Sequence, residues 1–152
     1  PKEMAIELFK PFVMKELVEQ IMLRLGAEVP EIRWIAVNRG QMESEGASMS
    51  YPCVLVDVSN VEWSTMTGDG SQRGKATIEV ELHPDNGTPA VATTEEVIHN
   101  QGLEAYELAE LVNGALHGWT PGAGGRLTRI TTNRKRDRYA HPVVLTYSCN
   151  IG

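Results

Sequence analysis

The chain has 152 residues, 41% hydrophobic and 22% charged, with a mean hydropathy of −0.24, which is enough for one domain with a single core. No stretch approaches the ~20 apolar residues of a membrane-spanning helix, and the opening residues lack the basic region and apolar run of a signal peptide. The net charge is −6, but the segment from Arg126 to Arg138 carries +5 and all other residues together −11, which is not typical of a nucleic-acid binder.

An amphipathic helix opens the predicted fold. Apolar residues recur every three or four positions between Val13 and Leu25, and mostly polar residues fill the other positions. Pro11 suits the first turn of a helix, and Gly26 suits the left-handed residue that follows a helix. The pattern therefore predicts a helix over residues 11–25.

A short strand, a loop and a long strand follow this helix. Residues 32–37 are mostly apolar and predict the short strand, whereas residues 38–51 have no periodicity and predict a mobile loop. The long strand begins with Tyr51 and Pro52, and its apolar alternation changes parity near residues 59–60. This change predicts a β-bulge at that point.

The chain then turns back on itself. Residues 68–74 contain three glycines and predict a turn, and residues 76–82 alternate between apolar and polar side chains. The preceding strand and this returning strand are therefore expected to form a long β-hairpin.

The second half of the chain contains a helix and two strands. Thr94 is suited to cap a short helical start, and the apolar spacing predicts a helix over residues 101–117 that Gly118 ends. Apolar runs predict final strands at residues 127–132 and 142–151.

These elements predict a single domain over residues 1–152. The order α-β-β-β-α-β-β favours an α+β fold, with a mixed, mainly antiparallel sheet and both helices packed on one face. The expected core includes Leu17, Ile21, Val56, Ile78, Val80, Leu108 and Leu111.

The cysteines and histidines form no metal-binding motif. Cys53 and Cys149 lie in apolar strand-like runs, which favours reduced, buried thiols over a disulfide between them. The four histidines are far apart in the sequence, which favours solvated or capping side chains over a metal site. We therefore expect no metal and no cofactor. The histidines are His83, His99, His117 and His141.

Three carboxylates suggest the main enzymatic alternative. Asp57 lies on one strand of the predicted hairpin, and Glu79 and Glu81 lie on the other. Paired carboxylates on adjacent strands can hold Mg²⁺ for phosphodiester hydrolysis. However, Glu79 and Glu81 alternate with apolar residues, which is typical of a strand with one solvated face. We therefore expect that the chain has no catalytic residues and no enzyme activity.

The basic tip, residues 133–138, lies between the last two predicted strands. Its charged residues can contact phosphate, but it lacks the aromatic residues that stack on bases. The first interpretation is that the tip is simply solvated. The second is that it binds an acidic protein surface, and the third is that it binds the DNA backbone. The basic side chains are Arg134, Lys135, Arg136 and Arg138.

The order of elements resembles that of the tail terminator, or tail completion, proteins of long-tailed bacteriophages and of the related small neck proteins. The resemblance covers most of the chain and rests on pattern and order rather than on a signature motif. The segments that carry it are residues 13–25, 51–56, 74–82, 103–116 and 143–147.

The resemblance implies a structural virion protein, assembled in the host cytoplasm and located in the tail or neck. It implies a homo-oligomeric ring, commonly a hexamer, that ends growth of the tail tube and joins tail to head. Its partners are then the tail-tube protein, the connector proteins of the neck, and genomic DNA that passes through the lumen without sequence-specific contact. An acidic surface suits such a channel, because it does not retain the polyanion. The basic tip departs from this pattern and is expected outside the lumen.

Three other interpretations remain open. The first is another neck, head-completion or tail-tube subunit. The second is a small metal-dependent nuclease that uses Asp57, Glu79 and Glu81, and the third is a monomeric binding module. A ring needs two complementary surfaces, whereas an enzyme needs converging polar groups.

The loops supply candidate contact surfaces for a ring. Long loops in a compact domain are usually functional or disordered, and three segments stand out here: residues 38–51, 64–74 and 133–138. Trp63 and Met66 are the apolar candidates for the contact. The basic tip is expected to face acidic residues of another copy, namely Glu104, Glu107 and Glu110 or Glu43 and Glu45.

Overall fold

The computed structural model describes residues 13–41, 50–66, 68–84, 95–135 and 142–152, and for residues 95–102 the backbone alone. The predicted order of elements is confirmed. In chain order the elements are α1 (Val13–Glu28), β1 (Trp34–Val37), β2 (Cys53–Thr65), β3 (Gln72–His83), α2 (Glu95–Leu116), β4 (Thr128–Arg134) and β5 (Val143–Ile151).

The strands form one mixed sheet in the order β1-β2-β3-β5-β4. Among the strands that the structure describes, only the β1–β2 pair is parallel, and the three other pairs are antiparallel. The β2–β3 register shifts between Val58 and Asn60, which is the predicted bulge. The predicted class, α+β with a mainly antiparallel sheet, is therefore confirmed.

Both helices pack on one face of the sheet, the helix face. Alternate residues of β2 and β3 point to this face, where they form one buried cluster with the inner residues of α1 and α2. Six of the seven expected core residues are in this cluster: Leu17, Ile21, Val56, Ile78, Val80 and Leu108.

Leu111, the seventh expected core residue, is 47% exposed, so this prediction was wrong. Val112 is fully buried in the core, and each residue of a helix is rotated by about 100° from its neighbour. Leu111 therefore points away from the core. The apolar set of α2 is wider than the stripe that the sheet can cover.

The helix ends differ from the expected ones. α1 continues through Gly26 to Glu28, because Val29 is buried at 1% exposure and its N–H donates to the carbonyl of Leu25. This burial outweighs the cost of about 1 kcal/mol for glycine inside a helix. α2 begins at Glu95 as one continuous helix, and Gly118, with φ of 81°, follows its end as predicted.

The described helices include none that is both long and apolar enough to cross a membrane.

Cys53 and Cys149 are buried and do not bridge, as expected. Cys53 pairs with His83, whereas Cys149 pairs with Ala76 of the helix-face core. Burial raises the pKa of each thiol to about 11, with a further contribution from Glu81 at Cys53.

Candidate functional site

The outer half of the β2–β3 hairpin, residues 61–66 and 68–75, is here called the hairpin end. Residues 53–56 of β2 are buried, but from Glu62 to Thr65 every residue is exposed. The two predicted contact residues are in this half, with Trp63 44% and Met66 37% exposed. Apolar side chains are therefore presented at the part of the hairpin that leaves the core.

A polar turn closes the hairpin end. The N–H of Met66 donates to the carbonyl of Ser71 at 2.7 Å, and the backbone and hydroxyl of Ser71 both donate to Oδ1 of Asp69. These hydrogen bonds lower the pKa of the Asp69 carboxyl. Gly68 and Gly70 have φ of 106° and 73°, a conformation that favours glycine. The turn therefore fixes the conformation of the chain where β2 ends and β3 begins.

Gly74 positions Trp63. It is the register partner of Trp63, and a Cβ at this position would lie 2.9 Å from Val61 Cγ1 and 3.0 Å from Trp63 Cε3. Only glycine leaves room for both side chains to lie across β3 at this point. The indole is therefore held over Gly74 of the neighbouring strand β3, while part of it faces solvent.

A second exposed apolar surface is the outer face of α2, formed by Leu103, Tyr106, Glu107, Glu110 and Leu111. These residues line a shallow groove of about 640 Å³. Leu103 is 44%, Tyr106 56% and Leu111 47% exposed. The surface lies on the side of the helix that points away from the sheet, where polar residues normally predominate.

Strand β4 runs beside this helix and supplies cations to it. Arg129 Nη1 lies 3.4 Å from Glu110 Oε1, and the guanidinium of Arg134 stacks over the Tyr106 ring, 5.6 Å from its centre. Arg134, predicted to face another copy, thus contacts a group of its own chain.

The face of the sheet opposite the helices carries a polar cluster of Asn38, Glu81, His83 and Lys135, here called the acid cluster. Asn38 Nδ2 donates to Glu81 Oε2 at 3.0 Å, and His83 Nε2 lies 3.3 Å from the same oxygen. Lys135 Nζ lies 4.0 Å from Glu81 Oε1. Residues from β3 and from the ends of β1 and β4 thus meet at the carboxylate of Glu81.

Burial makes the acid cluster unusual. Glu81 is 9% and His83 2% exposed, so the expected solvated strand face and solvated histidine were wrong at these two residues. Among the described residues, His83 Nε2 has no partner with hydrogen-bond geometry. The pKa of Glu81 is lowered mainly by the adjacent His83, with help from Lys135 and Asn38 and opposed by burial. A buried carboxylate with such neighbours remains ionised.

The three carboxylates of the enzymatic alternative lie on the same face of the sheet. Asp57 and Glu79 are register partners, and Glu81 is two residues further along β3. The contacts of Glu81 are with Asn38, His83 and Lys135 rather than with the other two carboxylates. In the part of the chain that the structure describes, no group of three His, Cys, Asp or Glu side chains could hold a metal ion.

The remaining histidine with a described side chain, His117, links the end of α2 to β4. His117 is exposed, as the solvated interpretation expects, and its Nδ1 accepts a hydrogen bond from the N–H of Arg129 in β4 at 3.1 Å. The other predicted positions lie outside the described side chains: His99, His141, Arg136, Arg138, Glu43 and Glu45.

The structure separates the predicted contact residues into two places. Trp63 and Met66 lie on the hairpin end, whereas Arg134 and Lys135 lie at the end of β4. The outer face of α2 was missed because its leucines and tyrosine fit a helical apolar stripe as well as the core residues do. The apolar stripe of α2 is wider than the part that packs on the sheet, and this width was the available indication of an exposed apolar surface.

No protein-family model matches the chain, and no curated protein is significantly similar to it.

Proposed function

We propose that this chain is a structural subunit of a bacteriophage tail, which forms a ring at the head-proximal end of the tail tube. The ring, commonly a hexamer, ends tube growth and joins tail to head. The subunit is assembled in the host cytoplasm and stays in the virion. Its partners are copies of itself, the tail-tube protein and the connector proteins of the neck.

The observation that carries this proposal is the hairpin end, which presents Trp63 and Met66 outside the core of a small domain. A ring needs a protruding surface on each subunit and a different surface that receives it. Exposed aromatic and methionine side chains are enriched at the centres of protein interfaces. The order of elements, which resembles that of tail terminators, supports the same assignment.

The charge of the chain fits passage of DNA through such a ring. The net charge is −6, and the surplus of acids lies outside the segment 126–138. Genomic DNA then meets a surface that does not bind its phosphates. Lys135 lies within 4.0 Å of Glu81, and Arg134 stacks on Tyr106, so these two cations have partners in their own chain.

The alternatives are separated by where the chain is found. Electron microscopy of virions assembled with a tagged copy should show a ring of several tags at the junction of head and tail. Tags along the tube indicate a tail-tube subunit, and tags inside the portal a head-completion protein. A single copy, or no tag in the virion, contradicts the proposal.

The nuclease alternative has its own test. Purified protein incubated with DNA or RNA and Mg²⁺ should leave the nucleic acid intact. Metal-dependent cleavage that is lost in the Asp57→Asn, Glu79→Gln double variant would replace the ring proposal with the enzyme.

A further inference from the structure

Strand β4 carries cations and no acid. Arg129 and Arg134 lie within it, and Lys135 follows it directly. It is also an edge strand, since the order β1-β2-β3-β5-β4 leaves its outer side without a partner strand among the described residues. Duplex DNA presents one phosphate per about 1.7 Å of its axis, so a straight strand can meet it with several cations at once.

The two arginines of β4 contact one helix of their own chain. Both lie on the helix face, because their register partners in β5 belong to the buried cluster. Arg129 Nη1 is 3.4 Å from Glu110 Oε1, and the Arg134 guanidinium is 5.6 Å from the centre of the Tyr106 ring. Tyr106 and Glu110 are four residues apart in α2, so they lie on the same side of it. One side of α2 thus holds both arginines.

The third cation is held on the other face of the sheet. Lys135 follows Arg134, and successive residues of a strand point to opposite faces. Lys135 Nζ lies 4.0 Å from Glu81 Oε1, and its backbone N–H donates to the carbonyl of Pro142 at 3.0 Å. Glu81 is 9% exposed, so water and salt screen its charge less than that of a surface carboxylate.

We propose that Tyr106, Glu110 and Glu81 hold the cations of β4 in an autoinhibited arrangement, which keeps this strand from binding the phosphate backbone of double-stranded DNA. The inference rests on the proposed function, which brings genomic DNA close to the subunit. The three contacts lower the affinity in two ways, because they occupy the cations and place two carboxylates beside them. β4 has no aromatic side chain that could stack on bases, so the suppressed binding is independent of sequence.

The test measures binding of the full chain to a short fluorescent DNA duplex at several salt concentrations. Glu110→Gln and Tyr106→Leu should each tighten binding about two- to fivefold, the effect of one exposed contact. The slope of log K against log[salt] should steepen by about 0.9 for each released cation, because each one neutralises a further phosphate. Both changes lie at exposed side chains, and circular dichroism checks that the variants are folded.

Each variant has a matched control on the same helix. Glu107→Gln removes a charge from the outer face of α2, and among the described residues Glu107 forms no ion pair with β4. Leu111→Ala removes exposed apolar area from the same face as Tyr106→Leu does. Neither control should steepen the salt dependence.

Two further variants identify the cations and the third contact. Arg129→Gln added to Glu110→Gln should abolish the gain in affinity and return the salt slope to that of the wild type. Glu81→Gln should release Lys135 and tighten binding, whereas Glu79→Gln removes the same charge from the same strand and face and should not.

Three results overturn the inference. The Glu110→Gln and Tyr106→Leu variants bind DNA no more tightly than their controls do, the gain survives Arg129→Gln, or the variants bind poly-glutamate at least as tightly as DNA. The last result assigns β4 to an acidic protein surface. A ring in virions together with any of these results leaves the proposed function standing and rejects only the autoinhibition.

Discussion

The two faces of the sheet are built from the same strands, yet they differ in what they bury. The helix face is apolar in the centre of the sheet, with Val54, Val56, Ile78 and Val80 under the two helices. The opposite face alternates with it residue by residue and is buried at one end only, around Cys53, Leu55 and the acid cluster.

This difference shows that sequence alternation determines which face of the sheet a residue lies on. It does not determine whether other segments of the chain bury that face. Glu79 and Glu81 are equivalent in the sequence pattern, because both lie between apolar residues of β3. Glu81 is 9% exposed and pairs with three side chains, whereas Glu79 is only half-buried. The environment of a polar residue on a strand depends on chain segments distant in the sequence.

The largest expected effect is on the helix face. Leu116→Ala removes a fully buried side chain from α2 and should lower the free energy of unfolding by about 2–5 kcal/mol. Leu111→Ala, on the outer face of the same helix, should change it by less than about 0.5 kcal/mol. Urea denaturation of both variants measures the contrast, and equal losses would contradict the assignment of the two faces.

The next effect belongs to the buried end of the opposite face. Glu81→Gln removes the charge that Lys135 and His83 surround and should cost about 1–3 kcal/mol at neutral pH. Glu79→Gln is the matched control on the same strand and face, and it should cost less than about 0.5 kcal/mol. A cost that is equal in both variants would show that the acid cluster contributes nothing.

The pH dependence of Glu81→Gln follows from the lowered pKa of Glu81. A carboxylate with a lower pKa in the folded state stabilises the protein above its unfolded pKa of about 4.3 and loses this contribution as the pH falls. The difference between wild type and variant should therefore shrink below about pH 4. Denaturation between pH 3 and 7 tests this, and a difference that grows toward acid pH contradicts it.

A smaller effect is expected where α2 contacts β5. The buried Tyr147 donates its hydroxyl to Asn113 Oδ1 at 2.9 Å, and burial raises the pKa of this phenol. Tyr147→Phe should cost about 0.5–1.5 kcal/mol. Tyr106→Phe, at an exposed ring, serves as the control and should be close to neutral in thermal denaturation. The reverse order of the two losses would contradict the geometry.

The smallest effect is expected at the half-buried carboxylates of the opposite face. The double variant Asp57→Asn, Glu79→Gln removes two like charges that face each other across β2 and β3. Cross-strand like charges repel, so stability should stay within about 0.5 kcal/mol of wild type or rise slightly. Calorimetry measures this change, and a loss above about 1 kcal/mol would assign these residues a structural role.

Most of the fold was accessible from the sequence. The helices, the order of elements along the chain and the bulge at residues 59–60 follow from periodicities that report which side of an element is apolar. The ends of the elements were less accessible, because α1 extends past Gly26 to bury Val29, a tertiary contact without a local signal. The pairing of β1 in parallel with β2 likewise depends on the whole sheet.

The candidate site was only partly accessible. Trp63 and Met66 were identified because apolar residues beside a glycine-rich turn have no local partner. The acid cluster was not, since Asn38, Glu81 and Lys135 come from elements that are 43 or more residues apart. The outer face of α2 was missed because periodicity does not distinguish apolar residues that face the core from those that face solvent.

The strand order has a consequence for the way the chain folds. Six residues separate Thr65 from Gln72 at the end of the β2–β3 pairing, whereas sixty separate Leu82 from Val143 at the nearest end of the β3–β5 pairing. Because loop-closure entropy grows with the logarithm of loop length, the second closure costs about 2 kcal/mol more than the first. We therefore expect the hairpin to form early and β5 to dock late, with a rate set by that long-range contact.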